Sequence, residues 1–179
     1  ARYSAKFARE GDAAVVYSFF RSLKPILEKF EPQVCYFVRD GARGNREDIL
    51  PGYKANRVYE KDQSFIDQKK KIEKSIREHF PIIVARDMAL EADDVIGFLV
   101  KDRHKEDECV VVSSDTDFIQ LLQQHKNCLL YNPITKKFRE KPSYDYVTWK
   151  SLRGDGADNI PGIPRVGDKT AEKLSKDQD

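Results

Sequence analysis

Eight carboxylates in this chain fall into compact groups: Asp40, then Glu91, Asp93 and Asp94, then Asp115 and Asp117, and finally Asp155 and Asp158. Gathered in space, such groups repel one another unless cations intervene. Oxygen donors without His or Cys suit a hard divalent ion such as Mg²⁺ or Mn²⁺. Two such ions, roughly 4 Å apart, activate water and stabilise the leaving oxygen of a phosphodiester. Taken singly, Glu91 or Asp117 reads as an ordinary helix-capping acid favoured by the N-terminal dipole. It is the grouping of sequence-distant acids that favours metal chemistry. His79, His104 and His125 are isolated and lack zinc spacing.

Alternating helices and strands can position these acids. Val16, Phe20, Leu23, Leu27 and Phe30 recur at helical spacing between Asp12 and Phe30, with Pro25 expected to kink or break that helix. Val34 to Val38 reads as a buried strand, and Ile72, Ile76 and Phe80 mark a second helix closed by Pro81. Strands are predicted over 82–84, 109–112 and 128–131, with helices over 91–101 and 117–124. From Tyr144 the chain turns helical and then turn-rich, through Gly154, Gly156, Gly162 and Gly167. This alternation predicts an α/β domain around a largely parallel central sheet flanked by helices. Asp40, the 91–94 group and the 115–117 pair then fall at carboxyl ends of strands, the edge where open α/β sheets bind ligands. Asp155 and Asp158 close over that edge from the later loop.

A second kind of segment lies between Asp40 and the Ile72 helix: DGARGNREDILPGYKANRVYEK. Basic residues crowd it, including Arg43, Arg46, Lys54 and Arg57. Lys54 and Arg57 share a face on any helical turn, Arg gripping a phosphate bidentately and Lys offsetting charge on a scissile group. Tyr53 and Tyr59 interleave with them, as where bases stack above a groove that tracks the backbone. The bland alternative is a mobile, solvated loop. Lys69, Lys70 and Lys71 read as a solvated helix face. The 32 basic and 30 acidic residues leave a net charge of only +2, so it is the separation of sign along the chain that is informative. The length of 179 residues favours one ordinary domain. No apolar run approaches the roughly 18 residues of a membrane span. Cys35, Cys109 and Cys128 sit in apolar stretches without CxxC spacing and read as core residues of a reducing compartment.

The segments YFVRDG, PGYKANR, LEADDVIG, VVSSDTDFIQLL and GDGADNIPGIPRVGDKTAEKL, in this order, resemble flap endonucleases and 5′–3′ exonucleases. The SSDTDF form is closer to phage enzymes of the T-even ribonuclease H type. The EADDVIG and DNIPGIP forms are similar to the 5′-nuclease domain of bacterial DNA polymerase I. The resemblance covers most of the chain, from about Val34 to Leu174, and implies a PIN-like 5′-nuclease fold. Residues 1–143 would form the nuclease core, with a helical arch over about 41–67. Residues 144–179 would form a DNA-binding segment, the start of a helix–three-turn–helix motif.

By the same resemblance, Asp40, Glu91, Asp93, Asp115 and Asp117 would serve the more catalytic of two Mg²⁺ ions, with Mn²⁺ able to substitute. Asp155 and Asp158, sharing Asp117, would serve the second, and Asp94 would stand beside the whole cluster as an outer ligand. Lys54 and Arg57 would reach the scissile phosphate at the base of the arch, with Tyr53 stacking on a base. Arg43 and Arg46 would contact DNA, as would Gly162, Arg165, Gly167, Lys169 and Thr170, near a potassium ion. The implied reaction is hydrolysis of 5′ flaps, nicked or branched duplex and RNA–DNA hybrids in replication or repair. A monomer in the bacterial or phage-infected cytoplasm is expected, with a clamp or single-strand binding protein as partner and no membrane contact. A non-catalytic branched-DNA binder and a PIN-like single-strand ribonuclease are the alternatives. Family members open with a central strand ending in a metal-binding Asp, then a tight turn. ARYSAKFAREGD resembles the family's segment just after that turn, and Ala1 in place of Met is consistent with trimming. Asp179 falls within or just after the expected second helix of the tail motif.

Overall fold

The computed structural model describes residues 13–42, 46–56 and 63–176. Within them the chain packs as two units, one from residues 13–39 and 63–86, the other from 40–42, 46–56 and 87–176.

The first unit is two helices against a two-stranded sheet. Helix α1 (Ala14–Phe30) places Val15, Val16, Phe19, Phe20, Leu23 and Leu27 on one stripe. Helix α3 (Gln63–His79) answers with Phe65, Ile72 and Ile76. Strands β1 (Cys35–Val38) and β2 (Ile82–Ala85) pair in parallel, Cys35 opposite Ile82 and Val38 opposite Ala85. Burying Val15, Ile72, Ile76 and Ile82 stabilises the unit by about 2 kcal/mol each, and the partly buried Val16, Phe19, Phe20, Leu23, Leu27 and Phe65 contribute less. The polar Gln68 is buried with them because its Oε1 accepts the Val15 N–H at 2.9 Å, one of the donors that a first helical turn leaves unsatisfied. Pro25 does not end α1, which runs on to Phe30. Lys69, Lys70 and Lys71 are exposed, as expected.

The second unit carries a short helix α2 (Arg46–Ile49), helix α4 (Ala92–Phe98) continuing into a π-turn over Leu99–Arg103, strand β3 (Cys109–Val112) and helix α5 (Ile119–Gln124). Strands β4 (Cys128–Asn132) and β5 (Lys137–Phe138), helix α6 (Tyr146–Arg153) and helix α7 (Asp168–Leu174) complete it. Its core is Val100, Val111, Phe118, Leu121, Leu122, Cys128 and Leu130. Asn127 closes the π-turn by donating from Nδ2 to the His104 carbonyl at 2.9 Å and the Asp107 carbonyl at 3.1 Å. The three cysteines are free thiols, and burial pushes the Cys128 thiol up to about 11, so it behaves as a small core residue.

The α/β class is observed, but the single central sheet is not. Among the described residues the strands form two small sheets, β1–β2 and β3–β4–β5. β3 and β4 pair in parallel, and a two-residue antiparallel β5 covers the outer side of β4. β5 carries too few residues for an alternating pattern to register. Helices α6 and α7 pack within the second unit.

Candidate metal and nucleic-acid site

All eight acids singled out from the sequence belong to the second unit. Asp40 enters through close backbone packing. Gly41 N–H donates to the Leu90 carbonyl at 2.9 Å and Ala42 N–H to that of Met88 at 3.0 Å. A Cβ on Gly41 would lie 1.9 Å from the Asp87 carbonyl oxygen, so only glycine admits this approach. Asp40 Oδ1 then accepts the Ala92 N–H at 3.0 Å, which fixes it against the start of α4.

Glu91 is the N-cap of α4 and forms a capping box with Asp94. The capping role considered for Glu91 is therefore real, yet it uses only part of the side chain. Its Oε1 accepts from Lys54 Nζ at 2.7 Å and its Oε2 from the Tyr53 hydroxyl at 3.0 Å. Asp158 joins the same knot, Oδ2 lying 3.3 Å from the Tyr53 hydroxyl and 3.8 Å from Lys54 Nζ. Asp94 faces elsewhere. It caps the Glu91 N–H at 3.2 Å and receives Arg46 in a fork, with bonds of 2.7 and 2.8 Å. That geometry makes Asp94 an anchor for α2.

Lys54 and Tyr53 reach this position through a stitched turn. Lys54 N–H donates to the Asp158 carbonyl at 2.9 Å, Asn56 to the Gly156 carbonyl at 2.7 Å, and Asn159 to the Gly52 carbonyl at 2.7 Å. Lys54 has a φ of 54°, a left-handed conformation that costs a non-glycine residue about 1 kcal/mol or more and survives because these bonds over-determine it. The Tyr53 ring lies under the Lys54 ammonium, 4.8 Å from Nζ to centroid, and the residue is only 8% exposed. Stacking of Tyr53 on a base therefore requires the 51–56 turn to be displaced. Burial works against charge on Lys54, but its hydrogen bonds to Glu91 and Tyr53 outweigh that and its pKa is raised.

Asp117 and Asp155 form a separate pair bridged by Lys150 of α6. Lys150 Nζ bonds to Asp117 Oδ1 and lies 2.9 Å from Asp155 Oδ2. Burial works against the Asp155 charge, yet Lys150 holds its carboxyl below the usual range. Asp115 accepts the Asp117 N–H at 2.9 Å. Negative charge is most crowded at Asp93. Although that residue counts as exposed, its carboxyl is pushed up to about 6, first by desolvation and then by the fields of Asp115 and Asp40. Among the described residues, no three Asp, Glu, His or Cys side chains stand close enough to ligate one ion as they are placed.

Arg43, Tyr59 and Arg57, named as cationic or stacking groups, lie outside the described residues. Arg165, Lys169 and Thr170 are exposed around α7, with Gly167 at its N-cap. Gly162 has a packing reason of its own: a Cβ there would lie 2.1 Å from the Arg153 carbonyl oxygen. Lys150, Asn56 and Asn159 escaped the sequence reading. Asn159 alone left a trace, an Asn in a Gly-rich loop where a φ of 58° is tolerated.

The Arg46 fork gives a measurable contribution. Removing it in Arg46→Ala is expected to lower stability by about 1–2 kcal/mol at neutral pH, discounted for partial exposure. Arg46 holds the Asp94 carboxyl below its ordinary value. The contribution is therefore complete above the unfolded pKa of about 3.9 and lost as pH falls through the lower folded value. Urea denaturation of both proteins across this range should show the difference closing on acidification; equal stability at pH 7 would leave the fork without energetic weight.

Residues 4–148 match the family described as 5′-3′ exonuclease, N-terminal resolvase-like domain. A 5′-3′ exonuclease of Buchnera aphidicola subsp. Schizaphis graminum (strain Sg) is 30% identical over 178 residues, which cover 93% of this chain and 61% of that protein. The chain thus spans about three-fifths of that relative's length. T5 5′-exonuclease with divalent metal ions (zinc) bound is 21% identical, with a TM-score of 0.76 over 97% of this chain and 69% of that one. A bacteriophage T5 flap endonuclease complexed with DNA and metal ions is 20% identical, with a TM-score of 0.75 over the same shares. These two likenesses establish the fold, and the family match covers most of the sequence. The chain belongs to the 5′–3′ exonuclease family, through its N-terminal resolvase-like domain.

Proposed function

We propose that this chain is the catalytic core of a structure-specific 5′-nuclease that hydrolyses phosphodiesters of flapped, nicked or branched DNA and of RNA–DNA primers, using two Mg²⁺ ions. The observation that carries the reading is the Asp93 carboxyl, raised to about 6 first by desolvation and then by the fields of Asp115 and Asp40. That field and an all-oxygen donor set fit hard divalent cations. The solved T5 relatives, one with divalent metal and one with DNA and metal, support the same chemistry.

In this reading Asp40, Glu91, Asp93 and Asp115, with Asp117, hold one ion; Asp117, Asp155 and Asp158 hold the other. Bound there, the ions supply an activated water and offset charge on the leaving oxygen. The chain's own residues do the rest. Lys54 and Arg57 offset charge on the scissile phosphate, and Arg43 and Arg46 steer the strand. The segment around 41–67 acts as an arch over the single strand. Residues 144–179, through Gly162, Arg165, Gly167, Lys169 and Thr170, grip duplex phosphates as the start of a helix–three-turn–helix motif, with K⁺ as the accompanying ion.

The test is cleavage of 5′-flap DNA, a nicked duplex, an RNA–DNA hybrid and linear RNA, with Mg²⁺ and with chelator. Flap and hybrid cleavage that chelator abolishes is the expected result. Preferential cutting of linear RNA, or cutting indifferent to chelator, would overturn the proposal.

A further inference from the structure

Lys150 occupies the middle of α6, where no spacing rule placed a functional residue. Its ammonium joins two acids from separate parts of the chain: Asp117, just beyond β3, and Asp155, in the Gly-rich loop. The Asp155 carboxylate and the Asp117 backbone are held independently of it. Asp155 Oδ1 accepts the Ala157 N–H at 2.9 Å, and the Asp117 N–H is bonded to Asp115. α6 is anchored at its start, where Asp145 accepts the Thr148 N–H at 2.7 Å, and Tyr146 stacks on Trp149 with ring centroids 5.6 Å apart. The bridge is partly shielded from water, with the Lys150 side chain 24% exposed, that of Asp155 16% and that of Asp117 31%.

A single ammonium therefore holds two of the three carboxylates that the two-ion reading assigns to the second ion, the third, Asp158, lying with Tyr53 and Lys54. We propose that Lys150 is a tethered counter-cation that a divalent ion must displace to reach Asp117 and Asp155, so that this ion binds weakly until DNA arrives. The proposal rests on the two-ion function above. A tethered charge acts at high effective concentration and outcompetes a dilute ion for the same oxygens. Once displaced, the ammonium needs another anion, and a DNA phosphate supplies one with a charge-assisted bond. Ion and DNA thereby favour each other's binding by the same factor, as linkage requires. Without DNA the carboxylates stay neutralised and the fold is protected from their repulsion.

The test is Mn²⁺ titration followed by electron paramagnetic resonance, using the DNA-free protein, Lys150→Met and Lys150→Arg. The intact protein should show one tighter and one weaker Mn²⁺. Lys150→Met should tighten the weaker ion by about tenfold or more, the equivalent of one lost charge-assisted bond. Lys150→Arg, which keeps a cation, should leave that ion weak. A second readout covers folding: in chelator Lys150→Met should melt lower than the parent, and Mn²⁺ should restore it. A weaker ion that is unchanged or lost in Lys150→Met would overturn the displacement proposal alone, leaving two-ion function intact. Failure of the parent and both variants to bind any Mn²⁺ would instead overturn the two-ion reading, and the proposal with it.

Discussion

Asp115→Asn is expected to slow metal-dependent cleavage by at least about a thousandfold while DNA affinity stays within a few-fold of the parent. In the proposed two-ion reading, the size comes from removing a charged ligand whose ion would offset several kcal/mol of developing charge, at about 1.4 kcal/mol per factor of ten. The substitution is close to isosteric. Asp115 Oδ1 accepts the Asp117 N–H, and an asparagine oxygen can accept the same bond. The Asp115 N–H donates to Ser113 Oγ at 3.0 Å, a backbone bond that the change leaves alone. The loss is one of charge, and with it goes the field that helps to hold the Asp93 carboxyl near 6. Stability should therefore be unchanged or slightly higher, because like charges no longer face each other. Single-turnover cleavage, a DNA-binding titration and a melting curve on one preparation separate these effects. Turnover within tenfold of the parent would remove Asp115 from the metal site.

The acids were legible because their chemistry is carried by residue type and by position after strands, and β1, β2 and β3 formed within a residue of where periodicity put them. How the acids partner one another was not legible. Asp155 and Asp158 are three residues apart and read as one pair, yet the turn over 156–158 sends Asp155 to Lys150 and Asp158 to Lys54 and Tyr53. That split depends on long-range bonds such as Lys54 N–H to the Asp158 carbonyl, which no local pattern encodes. Asp94 is expected, by resemblance, as an outer ligand beside the cluster; the Arg46 fork that holds it joins residues 48 apart, which no local pattern encodes. Lys150 was invisible for the converse reason, since a lysine on a polar helix face resembles any solvated one until its partners are known. Among the described residues the strands fall into two small sheets rather than one, because four-residue strands reveal that they pair but not with which neighbour.

Lys54→Ala is expected to slow the chemical step by about 10²–10³-fold, the loss seen when one donor to a developing charge is removed, with little change in DNA affinity. The structure adds a second consequence. The Lys54 ammonium is buried between Glu91 and Asp158, and removing it leaves both carboxylates short of a cation. Breaking such a pair costs about 3 kcal/mol; here the lower end is expected, because Tyr53 and Arg46 still reach Glu91. The two effects respond differently to metal. In the proposed reading, Mg²⁺ would replace the missing positive charge beside Glu91 and should recover melting temperature in Lys54→Ala, but it would not restore the proposed donor to the phosphate, so the rate should stay low. Melting curves with and without Mg²⁺, beside single-turnover rates at saturating metal, read the two separately. A rate that recovers together with stability would make Lys54 a structural counter-ion for Glu91 and Asp158. A normal rate with a raised dissociation constant would make it a DNA-affinity residue and end its assignment to the scissile phosphate.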